Sequence, residues 1–193
     1  KNFIFLLFVA FILFLIDDWD VYYLDIFEEG LSLSGATNFH LNGKPWENIY
    51  INTGLFFDVL NAKIAWLITG YKSIGAYKFY IKFLNLLTNI AIIYFLFELS
   101  KQLPREKVRS VFFIFISATV LYVTSKNYNL FRDLPLILFL ISILGFLNTK
   151  KNIYILLISL LSIFSVFWSL DRGFFLNLTL LSFLTYIFVA HKK

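Results

Sequence analysis

Long apolar runs alternate with short polar segments along most of the chain. None keeps up the period-2 alternation of a half-buried strand, and an open sheet does not survive in lipid. Six runs, 2–16, 76–99, 108–124, 134–148, 153–169 and 173–190, read as membrane-spanning helices. Several are short. At about 1.5 Å per residue, a run of about 16 residues covers roughly 24 Å of a hydrocarbon layer about 30 Å thick. The helices are therefore expected to extend into flanking polar residues, or the bilayer to thin around them. Pro135 falls in the first turn of the fourth run, where its missing N–H is harmless. Pro104 breaks the chain in the turn after the second run.

Segment 54–69 is apolar enough to be mistaken for another span, but Asp58, Asn61 and Lys63 interrupt it. Leu55, Phe56, Val59, Leu60, Ile64 and Leu67 recur at helical spacing, which suits a helix lying on a membrane surface. Parity points the same way. If 54–69 does not cross, Lys101, Arg105, Lys107 and Arg109 share a side with Lys150, Lys151, Lys192 and Lys193. The opposite short loops hold only Lys126, Arg132 and Arg172. The positive-inside rule assigns the cation-rich side to the cytoplasm. The expected architecture is an all-α polytopic protein of about six spans in the plasma membrane, forming one membrane domain. Both ends lie inside, and a loop over 17–75 with interfacial helices lies outside.

Composition agrees: 60% of residues are apolar and 15% charged, with a mean hydropathy of +0.78. Soluble domains sit nearer 45–50% and about 25%. The net charge of +5 is read as an orientation signal in short loops rather than a nucleic-acid footprint. The absence of cysteine excludes disulfides and thiolate metal sites. The chain lacks methionine, opens inside one apolar run and stops just after another, so an N-terminal excerpt of a longer protein is expected. A cleaved signal peptide over 1–16 fits poorly, because Asp17-Asp18-Trp19 lacks small residues.

Seven of the twelve acidic residues fall between Asp17 and Glu47. Carboxylates beside a bilayer are unfavourable unless water, cations or a substrate offset them. Asp17, Asp18 and Asp20 serve to end the first span; as hard oxygen ligands they also suit a divalent cation, Mg or Mn.

An ordered set of short motifs runs through 17–99: Glu28-Glu29-Gly30, Ala36, Gly43-Lys44-Pro45-Trp46, Gly54-Leu55, Gly70 and Lys78. Together they resemble the start of the GT-C membrane glycosyltransferases, the superfamily of protein O-mannosyltransferases and bacterial polyprenyl-phosphate sugar transferases. Two positions depart from the pattern: Glu28 stands where Asp is frequent, and Lys78 where Arg is usual. The resemblance implies transfer of a sugar from a polyprenyl-phosphate donor, among membrane lipids, to an acceptor on the extracytoplasmic face. Glu28 or Glu29 would then be the general base. Arg132, Arg172 and Lys78 would hold the donor phosphate, with Asp133 and Asp171 orienting their neighbouring arginines.

Plainer readings exist for each group. Glu28 and Glu29 can solvate an exposed helix, and the Arg–Asp pairs can be loop charges at helix ends. Lys78 and Lys82 can snorkel to headgroups. His40 reads as a loop residue, and Trp19, Trp46, Trp66 and Trp168 as an interfacial aromatic belt. A transporter or flippase would need polar groups at mid-membrane, where the runs offer mainly Asn85, Thr88 and Asn89. A non-catalytic membrane scaffold, with the acidic loop binding a partner, is the third alternative.

Overall fold

The computed structural model describes residues 2–16, 25, 27–124 and 129–190. Helix α1 (Asn2–Ile16) is followed by α2 (Glu28–His40). A π-helical turn (Phe56–Leu60) then runs directly into α3 (Asn61–Thr69). Helix α4 (Ile74–Ser100), α5 (Glu106–Thr124), a 3-10 turn (Leu130–Asp133), α6 (Leu134–Thr149), α7 (Asn152–Trp168) and α8 (Leu170–Ala190) complete the chain. The fold is all-α; among the described residues the only β pairing is an isolated bridge between Pro45 and Ile49.

Local chemistry sets the boundaries. Ser73 caps α4, its side chain accepting the Ala76 N–H at 3.1 Å. Gly70 closes α3 in the left-handed region (φ 74), and Lys150 closes α6 the same way (φ 55). Extension into polar flanks is realised: α4 starts at Ile74, α5 at Glu106 and α8 at Leu170, each ahead of its apolar run. The 3-10 turn lengthens α6 into a 20-residue stretch, Leu130–Thr149. Among the described residues, that stretch, α4 and α5 are the helical stretches long and apolar enough to cross a membrane, three where six spans were expected. Phe3–Leu15 and Asn152–Trp168 are apolar but shorter.

The molecule has a bundle and a cap. Leu6 and Ala10 of α1, Leu86, Ile92, Ile93 and Leu96 of α4, and Phe113 and Leu121 of α5 form one buried cluster. Phe139 and Ile143 of α6, Ile158 of α7 and Leu176 of α8 form another. The cap core joins Ala36 of α2, Phe56, Phe57 and Ala62 to Tyr77, Ile81 and Leu84 of α4, and reaches Phe131 and Trp168. Helix α4 thus serves both layers. Its 27 residues make a rod of roughly 40 Å, longer than a hydrocarbon core of about 30 Å.

The segment expected to be an interfacial helix is this cap element and not one of the candidate spans. Its apolar residues divide: Phe56 and Val59 are buried, Leu60 and Ile64 pack on the cap core, and Leu67 is exposed. The approach of α2 to the π-turn is close. A Cβ on Gly35 would meet the Asp58 carbonyl oxygen at 2.2 Å, and Ser32 donates to the Phe57 carbonyl at 2.7 Å.

The two ends of the bundle carry different charges. Gln102 donates to Asn148 at 2.9 Å, bringing the α4–α5 turn, with Lys101, Arg105 and Lys107, beside the α6–α7 turn with Lys150 and Lys151. The 3-10 turn and the start of α8 meet at the cap end.

Candidate functional site

Glu29 sits in the first turn of α2 and is 2% exposed; Lys78 of α4 is 8% exposed, and its Nζ lies 3.6 Å from Glu29 Oε2. The same carboxylate oxygen accepts the Asp25 N–H at 2.8 Å, while Asp25 Oδ1 accepts the Phe27 N–H at 2.9 Å. The two carboxylates thus satisfy backbone donors just ahead of α2. Two residues assigned separate tasks from sequence, base and phosphate ligand, are therefore each other's partners. An exposed solvating role for Glu29 is excluded by its burial. The Glu28 side chain lies outside the described residues, as do Asp17, Asp18 and Asp20. Among the described residues no group of three or more His, Asp or Glu is placed to hold a metal ion.

Arg132 and Arg172 come together, and each makes its shortest contact with the acid beside the other. Arg132 Nη2 donates to both oxygens of Asp171, at 2.9 and 2.8 Å. Arg172 Nε lies 2.9 Å from Asp133 Oδ1 and 4.0 Å from Asp171 Oδ2. The shorter contacts are crossed, so the expectation that Asp133 orients Arg132 is corrected, while Asp171 stays within reach of Arg172 as well as pairing with Arg132. The reason is local: Arg132 and Asp133 lie in the 3-10 turn, and Asp171 and Arg172 in the first turn of α8, rather than in open loops. Residues adjacent in a helical turn diverge, and each finds its counter-charge across the gap. Burial raises the Asp171 carboxyl, but the Ser169 hydroxyl and the Arg132 guanidinium outweigh it and hold it below the ordinary carboxylate value.

Aromatic packing joins this quartet to the cap. The Arg132 guanidinium lies 4.9 Å from the Phe57 ring centroid, and Phe57 stacks on Phe131 at 5.6 Å. Trp168 stacks on Phe56 at 3.7 Å and donates through Nε1 to the Phe131 carbonyl. Trp168 is buried, so its expected place in an interfacial belt is corrected; Trp46 is 61% exposed. Gly54 (φ 154) touches the junction of α7 and α8, where a Cβ would meet Ser169 Cα at 2.9 Å.

Sequence reasoning missed Asp58, reading it only as an interruption. It is fully buried, and its Oδ2 accepts the N–H groups of Asn52, Thr53 and Gly54 at 2.6, 2.7 and 3.2 Å. An acid four residues after the Gly54-Leu55 helix opening was the available signal. The polar residues of α4 also hold structure together. Asn85 accepts the Phe131 N–H, Asn89 accepts from the Thr124 hydroxyl, and Thr88 donates back to the Leu84 carbonyl.

No family model, curated protein or solved structure matches this chain.

Proposed function

We propose that this chain belongs to a membrane glycosyltransferase of GT-C type that moves a sugar from a polyprenyl-phosphate donor to an acceptor outside the cytoplasm. The observation that carries the reading is the buried Glu29–Lys78 pair at the cap end, the end that also holds the Arg132–Asp171 and Arg172–Asp133 quartet. A carboxylate and several cations at one end of an apolar bundle are what transfer from a lipid phosphate requires.

In this mechanism the donor phosphate enters beside Arg172, the more open of the two arginines. Arg132 is fixed by Asp171, Ser169 and Phe57 and orders the site. Lys78 swings from Glu29 to the phosphate and releases the carboxylate. Glu29 then takes the acceptor's hydroxyl proton as that oxygen attacks the anomeric carbon. The bond from that carbon to the phosphate oxygen breaks with its electron pair on the phosphate, where Lys78 and Arg172 stabilise the new charge. Glu28 remains the alternative base.

The six apolar helices all cross the plasma membrane in this reading, with the cap outside and the end carrying Lys101, Arg105, Lys150 and Lys151 in the cytoplasm. A cysteine at exposed Asn48 is then labelled by an impermeant thiol reagent on intact cells, and one at exposed Lys101 only after permeabilisation. The reverse pattern removes the donor from the site.

The deciding experiment is sugar transfer from polyprenyl-phosphate donors by the whole protein carrying Glu28→Gln or Glu29→Gln. Loss of a general base lowers turnover by roughly 10²–10⁴-fold. Full turnover in both variants discards the assigned base. Transport is disfavoured because Asn85, Thr88 and Asn89 are engaged in hydrogen bonds within the protein.

A further inference from the structure

At the far end of α2 three basic side chains converge from three elements. Lys63 of α3 places Nζ 3.1 Å from His40 Nδ1, and Lys72, in the α3–α4 turn, places its Nζ against His40 Nε2. Both ring nitrogens of one imidazole thus face ammonium groups. A neutral imidazole has one lone pair in its plane and one N–H, so it can accept from only one of the two lysines. The other ammonium meets an N–H, donor against donor. Protonating the ring makes both contacts donor against donor. No carboxylate pairs with Lys63 or Lys72 among the described residues. The cluster is open to solvent.

We propose that His40, Lys63 and Lys72 form a binding site for a phosphate-bearing anion. A tetrahedral oxyanion accepts hydrogen bonds at every oxygen, so it receives from both ammonium groups and from an imidazole N–H at once and removes the conflict. The three side chains are already gathered by packing of α2 and α3, and Gly70, in the left-handed conformation, turns the chain so that Lys72 faces back toward His40. The site is separate from the Glu29–Lys78 pair and from the arginine quartet, and it does not depend on sugar transfer. A phospholipid headgroup and a soluble phosphate ester present the same chemistry.

His40 is a built-in reporter. Lys72, then Lys63, hold its pKa below the ordinary histidine value, and a bound anion reverses that influence. The chain has two histidines, so His40→Gln assigns the signal unambiguously. The full chain is placed in nanodiscs and its imidazole resonances are followed by NMR against pH. One arm adds inorganic phosphate to discs of neutral lipid; the other replaces neutral lipid with anionic phospholipid. The expected result is a saturable rise of roughly one pH unit in the His40 midpoint, in either arm or both. A rise with phosphate alone identifies a soluble source, and a rise with anionic lipid alone identifies a headgroup. The response is lost in Lys63→Gln/Lys72→Gln and weakened in Lys72→Gln, which alters only an exposed turn. Two results overturn the proposal: no shift in either arm, or a shift matched by chloride at equal ionic strength.

Discussion

Arg132 pairs with Asp171, 39 residues further along the chain, and not with its neighbour Asp133. Asp133 pairs instead with Arg172, which also lies 4.0 Å from Asp171, so the two Arg/Asp dipeptides exchange their shortest contacts. The exchange ties the entry to α6 to the first turn of α8. An acid at that helix start is also favoured by the helix dipole. A double-mutant cycle on Arg132→Gln and Asp171→Asn should report a coupling of about 1 kcal/mol or more, as expected for a partly buried, hydrogen-bonded pair. The same cycle on Arg132 and Asp133 should report much less. Equal couplings would refute the crossed pairing.

Gly35 and Gly30 lie in the same helix and should respond in opposite directions to alanine. At Gly30 the nearest atom to an added Cβ is 3.9 Å away, so alanine should stabilise the helix by roughly 0.5–1 kcal/mol. At Gly35 the Cβ would press on the Asp58 carbonyl oxygen at 2.2 Å, so the cap must shift at a cost of roughly 1–3 kcal/mol. Thermal unfolding in detergent reads both signs.

Glu29→Gln removes one charge of a buried ion pair and should destabilise the fold by roughly 3–5 kcal/mol. Glu29→Gln combined with Lys78→Met removes both charges and should recover most of that loss. If the single variant unfolds no more easily than wild type, the pair is not closed in solution.

Asp58→Asn substitutes an amide for the carboxylate that gathers three loop N–H groups. The expected loss is about 1–3 kcal/mol. Hydrogen exchange should speed up at Asn52, Thr53 and Gly54 before it does so in α4.

His40 carries a pH signature. Its folded pKa lies below that of the free residue, first through Lys72 and then through Lys63. The unfolded chain therefore binds the proton first as pH falls, and stability should decline from about pH 6.5 downward to the lower folded value. Lys63→Gln/Lys72→Gln should flatten that part of the curve in chemical denaturation at a series of pH values.

Much of the architecture was written in apolar run length and punctuation. The runs beginning near residues 76, 108 and 134 became α4, α5 and the Leu130–Thr149 stretch, and Pro135 sits in the first turn of α6. Gly54 and Gly70 marked the ends of the cap element because each adopts a positive φ. The turns holding Lys101 and Lys150 share an end, as their charge suggested. Side-chain partnership was not legible. Whether Arg132 meets Asp133 or Asp171 depends on which helix start packs opposite, a fact of packing that spacing does not encode. Trp168 is buried because Phe56, more than a hundred positions earlier, stacks upon it. Asp58 reads as a defect in a hydrophobic segment until the loop it gathers is seen.

Because α4 passes unbroken from cap to bundle, the two layers share a spine. Tyr77 and Ile81 on its upper turns and Ile92 and Leu96 on its lower ones belong to different cores but to one rigid element. A cap built this way is a fixed roof, not a hinged door. Glu29 and Lys78 sit under that roof, so a change at either is felt along the whole length of the spine.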